Sequence, residues 1–376
     1  MNIQMVDLHS QYLDIKSEVD SALQEVLNTT AFIRGPEVSA FEAELSHYLG
    51  GSSVLGVANG TDALQIALMA LEIGPGDEVI SPSFTFVATA EAVGLLGATP
   101  VFADVLPDTF NIDPAQLEAL ITPRTKAIVP VHLFGQCANM TEIKAIADKH
   151  GLPIIEDIAQ AIGSTWQGQA AGTIGDIGTL SFFPSKNLGC YGDGGAIVSR
   201  RPDLFEQSKL ISNHGSRKKY HNEVVGVNSR LDSMQAAILR VKLGHLGAYT
   251  AARVLAADRY DALFSDSKSV VTPFRDPRGS HVFHQYTLRV KGNDPEKRDT
   301  LQAYLGSKGI PSLVYYPAPL HLLPIYKDNP DSCICGPLPN TLSAANEVLS
   351  LPMHTHLTQA EQEFIAGHCN AFFGSH

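Results

Sequence analysis

The chain has 376 residues, 44% of them hydrophobic and 18% charged, with a formal net charge of -12. So acidic a balance argues against nucleic acid or an anionic membrane surface as partner, and no apolar run reaches the roughly eighteen residues of a membrane span. The length allows two domains. The five cysteines are scattered, and the N-terminus has no charged-then-apolar leader; reduced thiols in a cytoplasm are the expectation.

Taken in order, residues 8–28 have the apolar spacing of an amphipathic helix. A loop, TTAFIRGP, precedes a second helix over 37–49 that ends at Gly50-Gly51. Alternation then begins. Strands are expected over 54–58, 78–81, 100–103, 127–131 and 153–157, and helices over 61–71, 85–96, 114–120 and 141–150. This pattern predicts a mostly parallel sheet covered by helices on both faces. The stretch Gly178 to Ser199, GTLSFFPSKNLGCYGDGGAIVS, reads as strand, loop, glycine turn and strand, with Lys186 at its centre. Residues 231–264 form a long Ala- and Leu-rich helical stretch, with Gly244 and Gly247 as a kink or break. Beyond it a strand over 281–290, a helix over 296–307, a strand over 310–315, the proline-rich YYPAPLHLLPIY and a last helix over 358–373 make a smaller α+β unit. The expected division is a large domain over 1–245 and a small one over 246–376.

In open parallel sheets, ligands sit outside the carboxyl ends of the strands, and four features fall there. Asn59-Gly60-Thr61-Asp62 lies between a strand and a helix. Gly60 permits close backbone approach, while the Thr61 hydroxyl and the free first-turn N–H groups face a phosphate. Phe84-Thr85-Phe86 offers an aromatic ring to stack on a flat ligand. Asp157 ends an apolar run, where a carboxylate is costly unless paired. A protonated pyridine nitrogen pairs it, which is what a pyridoxal cofactor needs as electron sink; Gln160 lies one turn on. Ser181 precedes Lys186 by five residues and can share the phosphate of Thr61. A partly buried lysine has a lowered pKa, and its neutral amine forms Schiff bases. Each feature alone is ordinary: a cap, a core aromatic, a solvated lysine. Their order along one chain is informative. No G-x-G-x-x-G follows the first strand, no zinc ligand spacing is present, and no G-x-S-x-G elbow occurs.

On FIRGPEVSAFE (32–42), ANGTDAL (58–64), PSFTFVATAEA (82–92), PVHLFGQ (130–136), IEDIAQAIGS (155–164), SFFPSKNLG (181–189), GDGGA (192–196), NSRLDSMQAA (228–237) and SLPMH (350–354), the chain resembles the DegT/DnrJ/EryC1/StrS family of nucleotide-sugar aminotransferases. The resemblance spans nearly the whole chain. It implies the aspartate aminotransferase fold (pyridoxal-phosphate fold type I) and pyridoxal 5'-phosphate as cofactor. Lys186 is then the catalytic residue that joins the cofactor covalently. Asp157 pairs with the pyridine nitrogen, Gln160 lies at the ring hydroxyl, and Phe86 packs on the ring. Gly60, Thr61 and Ser181 hold the phosphate, and Asn228 reaches it from the neighbouring subunit of a homodimer with shared active sites. Relatives with histidine at the lysine position are sugar dehydratases, and Lys186 places this chain with the aminotransferases.

The motifs are also similar to those of members acting on UDP-2-acetamido-2-deoxy-3-oxo-glucuronate in surface polysaccharide and O-antigen biosynthesis. Asp193 stands where many 4-aminotransferases carry Glu. The uronate enzymes tend to read His-Tyr-Pro where this chain reads Tyr315-Tyr316-Pro317. Tyr315, Tyr316 and His321 are the expected sugar contacts, and Arg230 the partner of a carboxylate or a nucleotide phosphate. The implied reaction takes an amino group from an amino acid, glutamate being expected, and gives it to a nucleotide-linked 3-ketosugar. Alternatives are a dTDP-3-keto-6-deoxyhexose or a 4-ketosugar as acceptor, a carbon–sulfur lyase or dehydratase of the same fold, and a cofactor-binding regulatory protein without turnover. No metal is expected.

Overall fold

The structure, a computed structural model, describes residues 3–374. Its centre is a sheet in the order Ser53–Val57, Gly195–Ser199, Ile177–Ser181, Ile155–Asp157, Thr125–Ile128, Glu78–Pro82, Thr99–Ala103. Two parallel bridges, Ile128 with Ile154 and Val131 with Asp157, join its halves. Gly195–Ser199 is antiparallel to both neighbours and the other strands are parallel to one another. The short strand Ile334–Cys335 returns from far along the chain to pair with Val101 and Phe102 at the sheet edge.

Successive residues of a strand face opposite sides, and here both sides are apolar. Val54, Ile80, Ile128 and Val198 enter one core with Phe41, Leu45 and Leu239. Leu55, Val79, Ala127 and Ile197 enter the other with Leu64, Ile66 and Leu68. The near-continuous apolar runs follow from this two-sided burial. A third core, with Tyr260, Tyr286, Leu288, Leu349 and Ile365, fills the small unit. There an antiparallel sheet, Val270–Val271, Tyr286–Val290 and Val348–Leu351, carries the helices Pro295–Ser307 and Gln359–Gly374.

Several expected elements change. The first helix is two, Leu8–Asp14 and Lys16–Thr29, divided at buried Ile15. The helix expected from residue 85 begins at Ala88, with Thr85 in a bend and Phe86 in irregular chain before it. Residues 310–315 make one bridge, Leu313 with Ser350, and no strand. Helices Pro202–Ile211 and Pro339–Glu347 were not expected, each opened by a proline at its first turn. The helix Ser233–Leu263 runs unbroken through Gly244 and Gly247. Arg240 ties it to Glu37 and Glu44, each at 2.7 Å, and buried Leu239 and Leu246 pack it on the large sheet's core; this packing outweighs the weak helix propensity of two glycines.

Candidate active site

The carboxyl ends of the parallel strands and the start of the antiparallel one open onto a single cavity of about 630 Å³. That volume suits a cofactor-sized ligand. Its wall includes Gly60, Thr61, Phe86, Asp157, Gln160, Ser181, Lys186, Tyr315 and Tyr316. Nine expected site residues, spread over more than 250 positions of sequence, therefore meet in one place.

At one end is a backbone cradle. Asn59, not Thr61, caps the helix Gly60–Ala70, its Oδ1 accepting from Asp62 N at 2.8 Å. Gly60 and Thr61 thus occupy the first turn, where N–H groups lack helical partners and the helix dipole favours an anion. Two glycines allow the approach. A Cβ on Gly60 would stand 2.6 Å from Ser181 Cβ, and one on Gly195 would stand 2.4 Å from the Asn59 carbonyl. Ser181, ending its strand, therefore lies against the helix start.

At the other end is Asp157. Strand alternation sends it to the cavity and its neighbour Glu156 to the far side. Glu156, fully buried, accepts from the backbone N–H of Gly172 (2.9 Å), Ile174 (2.7 Å) and Gly175 (2.6 Å), and from His132 Nε2 (2.9 Å). Asp157 accepts from Ala159 N and Thr89 Oγ1, both at 3.1 Å. Burial pushes the Asp157 carboxyl above its ordinary range, against the pull of those bonds, Lys186 and His132. It is thus an acid held where only a cationic partner makes its ionised form favourable.

Lys186 lies between them. Its loop is fixed by Lys186 N donating to Phe183 O at 2.8 Å and by Gly189, where a Cβ would meet the Pro184 carbonyl at 2.4 Å. Burial lowers the amine to about 8, opposed by the charge of Asp157. A reactive neutral amine is therefore accessible near neutral pH.

The wall made by Gln160, Tyr315 and Tyr316 carries amide and hydroxyl groups. Gln160 Nε2 donates to the Tyr316 hydroxyl at 3.2 Å, and its Oε1 accepts from Phe134 N at 2.7 Å. Phe86 is more than half exposed at the rim, its ring 6.3 Å from that of Tyr316. Thr89, Asp193, His284 and Gln285 also line the cavity. His284 and Gln285 were missed: they fall in VFHQYTLRV, read only as a strand, and the signal was two polar side chains opening an apolar run.

Asn228, Arg230 and His321 are not part of this wall. Asn228 is exposed, and the backbone on either side of it is held by hydrogen bonds. Val227 N donates to Ile211 O at 2.9 Å, Ser229 N to Ser212 O at 3.0 Å, and Ser229 Oγ accepts from Ala58 N at 3.0 Å. Arg230 stands 3.4 Å from His214 Nε2, with its Nε buried and unbonded. His321 Nδ1 pairs with Ser83 Oγ at 2.8 Å.

Pyridoxal phosphate fits these residues. The cradle matches a phosphate, the strained acidity of Asp157 matches a protonated ring nitrogen, and the lowered amine of Lys186 matches the reactive aldehyde. Among the described residues no cluster suits a metal ion, and no helix is long and apolar enough to cross a membrane.

Known proteins agree. The profile of the DegT/DnrJ/EryC1/StrS aminotransferase family matches residues 13–369. A pleiotropic regulatory protein of Geobacillus stearothermophilus is 47% identical over 380 residues, covering 99% of each chain. The UDP-2-acetamido-2-deoxy-3-oxo-D-glucuronate aminotransferase of Pseudomonas aeruginosa is 46% identical over 363 residues, 96% of this chain and 98% of that one. The crystal structure of a DegT/DnrJ/EryC1/StrS aminotransferase from Brucella abortus superposes with a TM-score of 0.94 at 43% identity, covering 99% and 100% of the two chains. The chain belongs to the DegT/DnrJ/EryC1/StrS aminotransferase family and is a pyridoxal-phosphate-dependent aminotransferase of fold type I.

Proposed function

We propose that this enzyme moves an amino group from an amino acid, glutamate first, to a nucleotide-linked 3-ketosugar, and that the sugar is a UDP-linked 2-acetamido uronic acid. The observation that carries the reading is the cavity in which Lys186, Asp157 and the Gly60–Ser181 cradle converge beside a wall of amide and hydroxyl groups. The likeness to the Pseudomonas aeruginosa uronate enzyme supports the acceptor.

Bound pyridoxal phosphate supplies an electron sink for cleavage of the donor's Cα–H bond. The protein does the rest. Residues 60 and 61 present first-turn N–H groups, and Ser181 a hydroxyl, to the phosphate. Asp157 keeps the proton on the ring nitrogen. Phe86 covers one face at the rim. Lys186 takes the proton from the donor's Cα and later returns one to the sugar carbon; one flexible amine held between two carbons serves as both base and acid. Tyr315 and Tyr316 are the sugar-side contacts in this reading; His321, paired with Ser83 outside the wall, is not one of them. Asn228 and Arg230 lie outside the cavity of one chain, and their exposed side belongs, in this reading, to a neighbouring subunit's site. Arg230 then meets the carboxylate or phosphate as a bidentate donor.

The name of the Geobacillus stearothermophilus relative favours a second reading, cofactor binding in service of regulation. The test separates them. Adding glutamate to the cofactor-loaded protein bleaches its visible band under the first reading and leaves it under the second. The amine-form enzyme is then offered matched 3-keto and 4-keto UDP- and dTDP-sugars. Return of the aldehyde-form spectrum with the UDP-3-keto uronate is the expected result. Preference for a 4-keto sugar overturns the regiochemistry, and preference for a dTDP-3-keto-6-deoxyhexose overturns the uronate alone.

A further inference from the structure

Asp157 is fixed through its backbone and through both carboxylate oxygens. Its N–H donates to Pro130 O at 2.9 Å, and its carbonyl accepts from His132 N at 3.0 Å. Ala159 N donates to Oδ1 and Thr89 Oγ1 to Oδ2, both at 3.1 Å. An ionised carboxylate has room for about four donors, so each oxygen keeps a lone pair for a ligand. Thr89 is buried and lines the cavity from the first turn of the helix Ala88–Leu95. A threonine hydroxyl in a helix commonly bonds back to a carbonyl three or four residues earlier. This one leaves its own helix, and among the described residues its hydrogen bond goes to Asp157.

We propose that Thr89 is a positioning residue that acts through Asp157: its hydroxyl, donating to Oδ2, takes up part of the carboxylate's charge and holds its rotation, so that the shared proton stays on the cofactor's ring nitrogen and not on Asp157. The inference rests on Asp157 as the partner of that nitrogen. Two bases that share one proton compete for it. Burial works against the arrangement, since it raises the Asp157 carboxyl and favours a neutral acid beside a neutral pyridine, a weaker electron sink. A hydrogen bond donated to the ionised form works the other way, and bonds to charged groups are the stronger ones. The backbone N–H of Ala159 is available to any sequence, whereas the hydroxyl is a property of residue 89. With Oδ2 tied to the helix and Oδ1 to the turn that follows the strand, the remaining lone pairs keep one direction. The other titratable groups facing the carboxylate are Lys186, His132 and the Tyr316 phenol. His132 cannot replace Thr89: its Nε2 is spent on Glu156 at 2.9 Å, and its Nδ1 accepts from Ala138 N at 3.1 Å.

The test reads the ring nitrogen itself. The full-length protein is loaded with pyridoxal phosphate carrying isotope-labelled nitrogen in its ring. The nitrogen NMR resonance, which separates protonated from unprotonated pyridine, is recorded at fixed pH beside the rate of the glutamate half-reaction. Thr89→Val, equal in shape and without the hydroxyl, should move the resonance towards the unprotonated value. It should also slow the half-reaction by about tenfold or more with the glutamate KM nearly unchanged. Thr89→Ser, which keeps the hydroxyl, should recover most of both. A resonance unmoved in Thr89→Val overturns the proposal even if the half-reaction slows, since packing alone would do that. A Ser variant displaced as far as the Val variant overturns it too. Asp157→Asn separates the two ideas. If it moves the resonance while Thr89→Val does not, only the role of Thr89 fails. If it leaves the resonance unmoved, the reading of Asp157 fails and the role of Thr89 with it. Should Thr89→Val not fold, Thr89→Cys, a weak donor, should give a smaller shift the same way, and no shift overturns the proposal.

Discussion

At the scale of single residues, the site is built from groups that the fold alone does not favour. Lys186→Ala should stay folded and lose turnover and the visible band of the bound cofactor; more than a few per cent of wild-type transamination counts against it. Asp157 has its pKa raised by burial, so its ionised form costs stability above that pKa. Asp157→Asn should therefore stabilise the cofactor-free protein at neutral pH. It should also slow the glutamate half-reaction on the order of 10²–10³-fold, the scale of a lost electrostatic stabiliser. Thermal melts and stopped-flow traces of one variant read both. Lys242 offers a contrast outside the cavity. It is 1% exposed, sits 5.2 Å from the Tyr191 ring centroid, and burial lowers it to about 8. The unfolded chain then binds more protons than the native one between about pH 8 and the ordinary lysine value, so stability rises with pH across that window. Lys242→Met should stabilise the protein at pH 7 by about 1–3 kcal/mol and flatten that rise; a melting temperature unchanged or lowered at pH 7 would count against a burdened ammonium.

At the scale of elements, the site depends on how closely two strand ends approach one helix start. Gly195 opens the antiparallel strand under Asn59, where a Cβ would meet backbone carbon and oxygen at 2.4 Å. Backbone cannot turn aside as a flexible side chain can. Gly195→Ala should cost about 1–3 kcal/mol of stability by overpacking. By lifting the capped helix start it should also weaken cofactor binding about tenfold or more, read by titration. Unaltered affinity would mean that the cradle does not hold the phosphate. Asn59→Ala removes the cap and should cost about 1 kcal/mol.

At the scale of the whole molecule, Asn228 and Arg230 stand apart from the cavity of their own chain. If they complete a neighbour's site, mixing inactive Lys186→Ala with inactive Asn228→Ala and allowing subunits to exchange should restore part of the activity, since one hybrid site carries both intact residues. No recovery despite proven exchange contradicts shared sites. Arg230→Lys should weaken the sugar nucleotide by about 1–3 kcal/mol, the scale of a charge-assisted bond, and leave the glutamate half-reaction almost untouched. The long helix Ser233–Leu263 packs Leu239 and Leu246 into the large sheet's core, and Arg253 on it bonds the Phe283 and His284 carbonyls, so one element ties His284 to that core.

Much of this was legible in order along the chain. The alternation of apolar strands and helices determined the sheet, because a strand buried on both faces must be apolar throughout. Asp157 was legible as an acid closing an apolar run, and Lys186 as a lysine between two strands and a glycine turn. What the sequence could not carry was partnership over distance. Asn59 and Thr61 are both capping types, and only backbone geometry assigned the cap to Asn59. Gly244 and Gly247 predict a break that packing and the Arg240 pairs override. His284 looked like one polar residue in a strand; it pairs with Asn187, 97 positions earlier, and its carbonyl accepts from Arg253 on a helix between them. Local propensity and pattern act over a few residues and can be read in order, whereas a hydrogen bond between distant side chains, or a backbone approach that admits only glycine, exists only once the chain has closed on itself.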